Sequence, residues 1–517
     1  MEDSVLVVGG GTMGMGIALA CAAAGCSVTV VEPDVAARER AAAQAQAERV
    51  CLEAEIPQRS DAALAIEAVS EDAEIKRDVF RKLGAALSRG ALVATNTSSL
   101  SVGDLAAVVP NPERVVGMHF FNPVSRMKLV EIVPGELTSG EAVDRACGFA
   151  ERIGKTPVVA EDTPGFIVNR VARPYYLQSL RALERGVASA EELDALARGA
   201  GFRMGPFELM DLIGLDINLA TTESVYERTD AARLAPVAIQ REMVAAGRLG
   251  RKSGAGFYSY REGTPQRFEP AIPETGEEPN AQEQVAIVGF GGIADEIAER
   301  AQGHYAHCRR IEHDAQLDEI SQAATIVFDV GDGSNDRSAI VAELDTLLGE
   351  ETILFVDAYA SDLDACASKM RHPERLVGYG ILGSLEGQRV VEIVDTQSVS
   401  DDALGLAEEF FGVLGKGVVL VENVPGLFLG RAVASVVNEA AIAVQEGVAS
   451  PEDVDTAMRL GANYPIGPIA WGREIGGARL MRILKRLARD EGEAFAPHRS
   501  LWLFDLDDPA EQAEEPA

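Results

Sequence analysis

The chain predicts a doubly wound α/β sheet followed by an all-helical domain, with this two-domain unit present twice in tandem. Three observations lead there. Short β-branched apolar runs alternate with helical spacing over residues 1–162, the spacing becomes helical throughout from Thr163, and the same order of motifs returns after residue 284. Strands that alternate with helices imply a parallel sheet covered by helices on both faces.

Val5-Leu6-Val7-Val8 is the first strand and Gly9-Gly10-Gly11-Thr12-Met13-Gly14 the turn into a helix. Ser27 to Val31 is the second strand, closed by Glu32, 23 residues after Gly9. Gly9 serves the tight bend, Gly11 lets backbone approach a pyrophosphate, and Gly14 lets the helix pack closely on the strand. N–H groups at the helix start, at Thr12 and Met13, face the anion. Glu32 stands where a carboxylate accepts both hydroxyls of an adenosine ribose and repels a 2′-phosphate, which selects NAD over NADP.

A charged, Ala-rich helix is expected from Val35 to about Leu52, then strands at Ala63–Ala68, Ala91–Thr95, Val115–His119 and Leu129–Val133, with a helix at Ile75–Leu87 before the second of them. Thr163 is expected to cap, and Pro164 to open, a helical segment that ends near Tyr260. The boundaries read as 1–162, 163–261, a Pro, Glu and Gly-rich linker at 262–284, then 285–423, 424–504 and an acidic tail at 505–517.

The repeat is explicit. Val285 to Ala294 restates the opening, and Gly289, Gly291 and Glu312 answer Gly9, Gly11 and Glu32 at an offset of 280. An offset of 261 relates Pro373-Glu374-Arg375 to Pro112-Glu113-Arg114, Val391-Glu392-Ile393-Val394 to Val130-Glu131-Ile132-Val133, Pro425-Gly426 to Pro164-Gly165, and Gly447-Val448-Ala449-Ser450 to Gly186-Val187-Ala188-Ser189. One offset held across so many motifs marks a tandem duplication.

A length of 517 residues with 47% hydrophobic content supports several cores. The net charge of −34 excludes nucleic acid as a partner, since no basic field meets the phosphates. The six cysteines are scattered without metal spacing, which fits reduced thiols and a cytoplasmic location. Absence of a basic leader and of any apolar run near the ~18 residues of a span gives the expectation of a chain neither exported nor anchored in a membrane.

His119 ends a strand on the side of the sheet where ligands bind in such folds, and Glu131 lies on the next strand. An imidazole whose tautomer is fixed by an acid suits a general base at neutral pH. A lone histidine is more often merely structural, so its neighbours decide the matter. Val8-Gly9-Gly10-Gly11-Thr12-Met13-Gly14, Thr95-Asn96-Thr97-Ser98-Ser99, His119-Phe120-Phe121-Asn122-Pro123, Lys128-Leu129-Val130-Glu131 and Pro164-Gly165-Phe166-Ile167-Val168-Asn169-Arg170 together resemble the 3-hydroxyacyl-CoA dehydrogenase family. Gly205-Pro206, Asp211-Leu212-Ile213-Gly214 and Lys252 to Tyr258 extend the likeness through the first unit.

The resemblance implies an α/β Rossmann domain plus an all-α C-terminal domain, duplicated, with NAD as cofactor and an acyl-CoA as substrate. His119 would be the base, Glu131 would orient it, and Ser98 and Asn169 would hold the substrate oxygen and thioester. Glu71, Lys76, Asn122 and Lys252 match family positions near the cofactor; a solvated surface charge is the plain alternative for the two lysines. Arg173-Pro174-Tyr175-Tyr176 resembles the two-unit subgroup that oxidises 3-hydroxyadipyl-CoA in phenylacetate breakdown. Arg170 or Arg173 could receive a distal carboxylate, or make an ordinary packing salt bridge. 3-Hydroxybutyryl-CoA is the alternative substrate, and a non-catalytic nucleotide-binding or structural protein the alternative class.

Two departures from the family stand out. The stretch between Glu32 and Ala65 is short, without most of the helical arm that helps hold CoA. In the second unit Gly380, Tyr359 and Gly430 replace His119, Ser98 and Asn169, and Ala294 replaces Gly14, so this copy is degenerate and expected to be structural. Family helical domains pair across a two-fold in homodimers; the chain is therefore expected to be a homodimer or an intrachain pseudo-dimer.

Overall fold

The computed structural model describes residues 4–45, 50–272, 284–289, 292–305, 307–311, 314–320, 324–331 and 337–505. The readings placed on Gly291, Glu312, linker residues 273–283 and tail residues 506–517 lie outside these residues. The β-branched runs form strands where the apolar periodicity puts them. β1 (Ser4–Val8), β2 (Ser27–Val31), β3 (Val50–Glu53), β4 (Leu64–Glu67), β5 (Leu92–Thr95), β6 (Val115–Phe120), β7 (Leu129–Pro134) and β8 (Thr156–Val159) form one sheet in the order β3-β2-β1-β4-β5-β6-β7-β8. β9 (Gln284–Gly289), β10 (His307–Ile311), β11 (Ile326–Gly331), β12 (Ile353–Asp357), β13 (Leu376–Gly380), β14 (Val390–Asp395) and β15 (Gly417–Glu422) form the second, ordered β10-β9-β11-β12-β13-β14-β15. Each sheet is followed in the chain by helices, so the duplication holds at the level of topology.

Three local expectations are corrected. The described helix is Val35–Ala45, and Val50–Glu53, expected to be helical as far as Leu52, pairs in parallel with β2 instead, as suits the run Val50-Cys51-Leu52. The sheet is mixed: β6 and β7 are antiparallel, as are β13 and β14. Thr163 does not cap a helix. Its carbonyl accepts from Phe166 N–H in a turn with Gly165 and Phe166 at positive φ, and the helix starts at Val168.

The chain divides into two compact units. One comprises Met1–Ala172, Glu223–Asp230 and Ala443–Asn463; the other comprises Arg173–Thr222, Ala231–Ile442 and Tyr464–Ala517. The first is cored by Val5, Val7, Ile17, Val30, Ile66 and Ile132, the second sheet by Ile287, Phe328, Phe355, Phe410 and Phe411. The parts of the division follow contacts and not sequence copies: a segment of the second copy belongs with the first sheet.

Candidate active site

The glycine turn meets the three demands placed on it. A Cβ at Gly9, which sits at φ +112°, would stand 2.4 Å from the Ala68 carbonyl oxygen, and one at Gly14 would stand 1.9 Å from the Gly9 carbonyl oxygen. Gly11 has nothing within 4 Å, so its face of the turn is open to a ligand. The helix Thr12–Ala23 begins there, with the N–H groups of Thr12 and Met13 in its first turn. Glu32, at the end of β2, accepts from Gly10 N–H at 2.8 Å and from Asp34 N–H at 3.0 Å, which fixes an acid beside the turn. Thr12 and Asn122 line one open cleft of about 700 Å³. Lys155, on its rim, donates to the carbonyls of Val124 and Met127 and so pins the loop that follows Asn122.

His119 and Glu131 are directly opposite residues of β6 and β7, a register that the antiparallel pairing creates. His119 Nδ1 lies 2.6 Å from Glu131 Oε2, with the carboxylate fully buried. The other carboxylate oxygen accepts from Ile167 N–H at 3.1 Å and Val168 N–H at 2.9 Å. Glu131 therefore satisfies the start of the helix that carries Asn169 and orients the imidazole with the same group. An acceptor-only carboxylate places the proton on Nδ1, which leaves Nε2 as the acceptor a base requires. The rings of Phe121 and Phe166 flank the imidazole with centroids at 4.5 and 5.8 Å.

A second cluster builds the loop after β5. Glu71 Oε1 accepts from Thr97 Oγ1 at 2.5 Å, Ser98 N–H at 3.0 Å, Ser99 N–H at 3.1 Å and Ser99 Oγ at 2.9 Å. Lys76 is buried, not solvated, and joins Glu71 to Glu67 at 3.1 and 2.7 Å. Its positive charge, with the hydroxyls of Thr97 and Ser99, holds the Glu71 carboxyl below the usual range against the opposing effect of burial, which is the largest single influence. Lys76 thus acts on the Ser98 loop through Glu71. Ser98 and Asn169 are both half-buried, and Asn169 lies on the helix Val168–Val171. Lys252 is in the other unit, where it is partly exposed and paired with Asp216. Arg173 is buried there too, donating to Thr222 Oγ1 at 3.2 Å and lying over the Tyr176 ring. Arg170 pairs with Glu446 at 2.7 Å. Sequence reading missed Glu67, Phe166 and Lys155; an acid closing a buried strand was the visible signal for the first.

The second copy keeps the frame and changes its contents. Gly380 stands opposite Glu392 in the β13–β14 register. Tyr359 extends its phenol to Glu392 Oε2 at 2.5 Å, while Phe428 N–H and Leu429 N–H donate to the same carboxyl group at 2.7 and 3.2 Å. A Cβ at Gly380 or Gly430 would stand 2.6 or 2.7 Å from the Tyr359 ring. The tyrosine thus fills the space that the two glycines vacate. Burial raises the Glu392 carboxyl to about 7. Because the folded state keeps this proton while the unfolded chain has lost it, Glu392 contributes stability that is complete below about pH 4.5 and is lost as pH rises through about 7. Asp194, raised to about 7 by burial while accepting from Phe207, Glu208 and Tyr258, acts in the same direction. In urea titrations between pH 5 and 7.5, Glu392→Gln is expected to remove about one proton, or ~1.4 kcal/mol per pH unit, from the slope of stability against pH. An unaltered slope would refute this.

A Rossmann-type sheet with an acid-oriented histidine and a dinucleotide turn defines a class of nicotinamide-dependent oxidoreductase. Residues 4–53, 41–163 and 298–424 match the NAD-binding domain of 3-hydroxyacyl-CoA dehydrogenases, and residues 165–260 and 426–509 match their C-terminal domain. The chain belongs to the 3-hydroxyacyl-CoA dehydrogenase family, as an NAD-dependent enzyme with both domains in tandem duplicate. It is 38% identical over 434 residues to 3-hydroxyadipyl-CoA dehydrogenase of Escherichia coli K12, covering 84% of this chain and 78% of that one. It is 43% identical over 201 residues, 39% of this chain and 72% of the relative, to 3-hydroxybutyryl-CoA dehydrogenase of Clostridioides difficile. A crystal structure described as 3-hydroxybutyryl-CoA dehydrogenase from Escherichia coli K12 aligns over all of both chains with a TM-score of 0.76 and 33% identity.

Proposed function

We propose that the protein oxidises (S)-3-hydroxyacyl-CoA to 3-oxoacyl-CoA at a single site in the first copy, with 3-hydroxyadipyl-CoA as its preferred substrate. The buried 2.6 Å contact between His119 and Glu131 carries this reading. His119 Nε2 takes the proton of the 3-hydroxyl, Glu131 stabilises the imidazolium that forms, and Ser98 and Asn169 hold the substrate oxygen and thioester. The turn at Gly9, Gly11 and Gly14, the helix start at Thr12 and Met13, and Glu32, Glu71, Lys76 and Asn122 are the residues that would hold or support NAD. When bound, NAD accepts the hydride from C3. Open space at Gly11 and an acid fixed beside the turn support the fit and the choice of NAD over NADP.

The second copy is read as chemically silent, since Tyr359 occupies the space of a base and Glu392 has a phenol in place of an imidazole. The acyl preference rests on the likeness to the 3-hydroxyadipyl-CoA enzyme and on Arg173, a buried guanidinium suited to a distal carboxylate. Arg170, already paired with Glu446, is the weaker choice. Assay of NADH formation with 3-hydroxyacyl-CoAs that differ only in a terminal carboxylate tests the preference. Arg173→Ala is expected to reduce kcat/KM for the dicarboxylyl substrate at least tenfold more than for 3-hydroxybutyryl-CoA. Equal losses on both would return Arg173 to helix packing and favour the 3-hydroxybutyryl reading, which the likeness to the Escherichia coli K12 crystal structure supports.

A further inference from the structure

The surroundings of the catalytic pair include residues from the second copy. Ala443–Asn463 lies in the same compact unit as the first sheet. Glu161 N–H donates to Val448 O at 2.8 Å, and the helix Pro451–Gly461 packs on β7, β8 and the short helix Val168–Val171. Glu446 Oε2 lies 2.7 Å from Nη1 of Arg170, whose side chain is only 4% exposed and which follows Asn169 in the chain. At Gly461 the approach is close: a Cβ there would stand 2.6 Å from Leu129 Cδ2, 2.9 Å from Val168 Cγ2 and 3.6 Å from Phe121 Cε1.

Each of those three residues adjoins the His119–Glu131 pair. Phe121 lies against the imidazole, Val168 donates its N–H to Glu131, and Leu129 opens the strand on which Glu131 stands two residues later. The mirror contact exists in the other unit, where Gly199, ending the first copy's helix Ala190–Gly199, would place a Cβ 2.6 Å from Val390 Cβ at the start of β14. There the strand carries Glu392 bonded to Tyr359, so only one of the two equivalent seats backs a histidine.

We propose that the second-copy segment Ala443–Asn463 is a positioning element of the first copy's active site. Gly461 admits the helix closely enough to hold Phe121, Leu129 and Val168 behind the histidine and its acid, and Glu446 fixes Arg170 beside Asn169. None of these second-copy residues touches reacting atoms. This role rests on the dehydrogenase reading of His119, and it gives the duplicate a reason to persist after losing its own base: the first site is incomplete without it.

The test uses the full chain with Gly461→Val, Glu446→Gln and Glu446→Asp. Gly461→Val is expected to lower kcat ten- to a hundredfold, with NADH affinity by fluorescence titration within twofold of the parent. Glu446→Gln, at a half-exposed site that does not threaten folding, is expected to lower kcat three- to tenfold, and Glu446→Asp to restore most of it. The chain has six histidines, so the His119 imidazole resonance, identified by its loss in His119→Gln, is expected to shift in Gly461→Val while the others stay in place. Parental kcat and an unmoved His119 resonance in folded Gly461→Val would overturn the proposal. So would a loss of turnover that tracks a fall in melting temperature without a shift of that resonance. If the parent oxidised no 3-hydroxyacyl-CoA, the dehydrogenase reading would fall by itself, because the resonance still reports whether Gly461 positions the ring.

Discussion

His119→Ala is expected to lower kcat for 3-hydroxyacyl-CoA oxidation by about a thousandfold, within the 10²–10⁴ range of positioned general bases, while NADH affinity stays within twofold. The two effects separate because the glycine turn follows β1 and Glu32 follows β2, whereas the histidine is the penultimate residue of β6 and takes no part in forming that turn. Stopped-flow turnover with fluorescence titration of NADH reads both. Retained turnover would move the base to another group. Loss of cofactor affinity in parallel would make His119 a structural residue of the fold. Glu131→Gln should lower kcat in the same direction, with an added loss of stability, because Glu131 also accepts the N–H groups of Ile167 and Val168.

That double duty explains where the sequence was readable. The turn glycines, Glu32 and the duplicated motifs are local patterns, and a spacing of residues is enough to see them. The adjacency of His119 and Glu131 was legible only as strands consecutive in the chain. Their face-to-face register was not, since apolar periodicity does not encode strand direction, and the sheet was expected to be wholly parallel. The start of the following helix was misplaced for a related reason. Thr163 and Pro164 have the composition of a helix start, but the free N–H groups belong to Ile167 and Val168, and the acid that satisfies them lies more than thirty residues earlier.

Longer separations were harder still. Lys76 has the spacing of a surface residue on an amphipathic helix, yet it is buried between Glu67 and Glu71, neither of which announces a partner. Glu446 and Gly461 lie in the copy read as degenerate and reach residues some three hundred positions away. The offset of 261 paired Gly380, Tyr359 and Gly430 with His119, Ser98 and Asn169, but not with one another. Two glycines and a tyrosine look like three separate losses in the sequence; in the structure they are one exchange of volume.

That exchange leads to the largest stability effect expected outside the first site. Tyr359 is fully buried, its ring packs over Gly380 and Gly430, and the Arg479 guanidinium lies over its face at 5.6 Å. Burial and the neighbouring Glu392 push its phenol well above the ordinary range, so it remains a proton donor to that acid. Tyr359→Ala empties a ring-sized space between two residues that have no side chain to fill it, and is expected to cost about 3–5 kcal/mol of stability. Tyr359→Phe keeps the volume and removes only the donor, for about 1–3 kcal/mol. Both variants, assayed well below their melting temperatures, should retain parental kcat. If Tyr359→Ala and Tyr359→Phe were equally destabilising, the hydrogen bond and not the filled space would be the reason for the tyrosine. If either abolished turnover while remaining folded, the second copy would hold a working site, and the single-site account of this enzyme would fail.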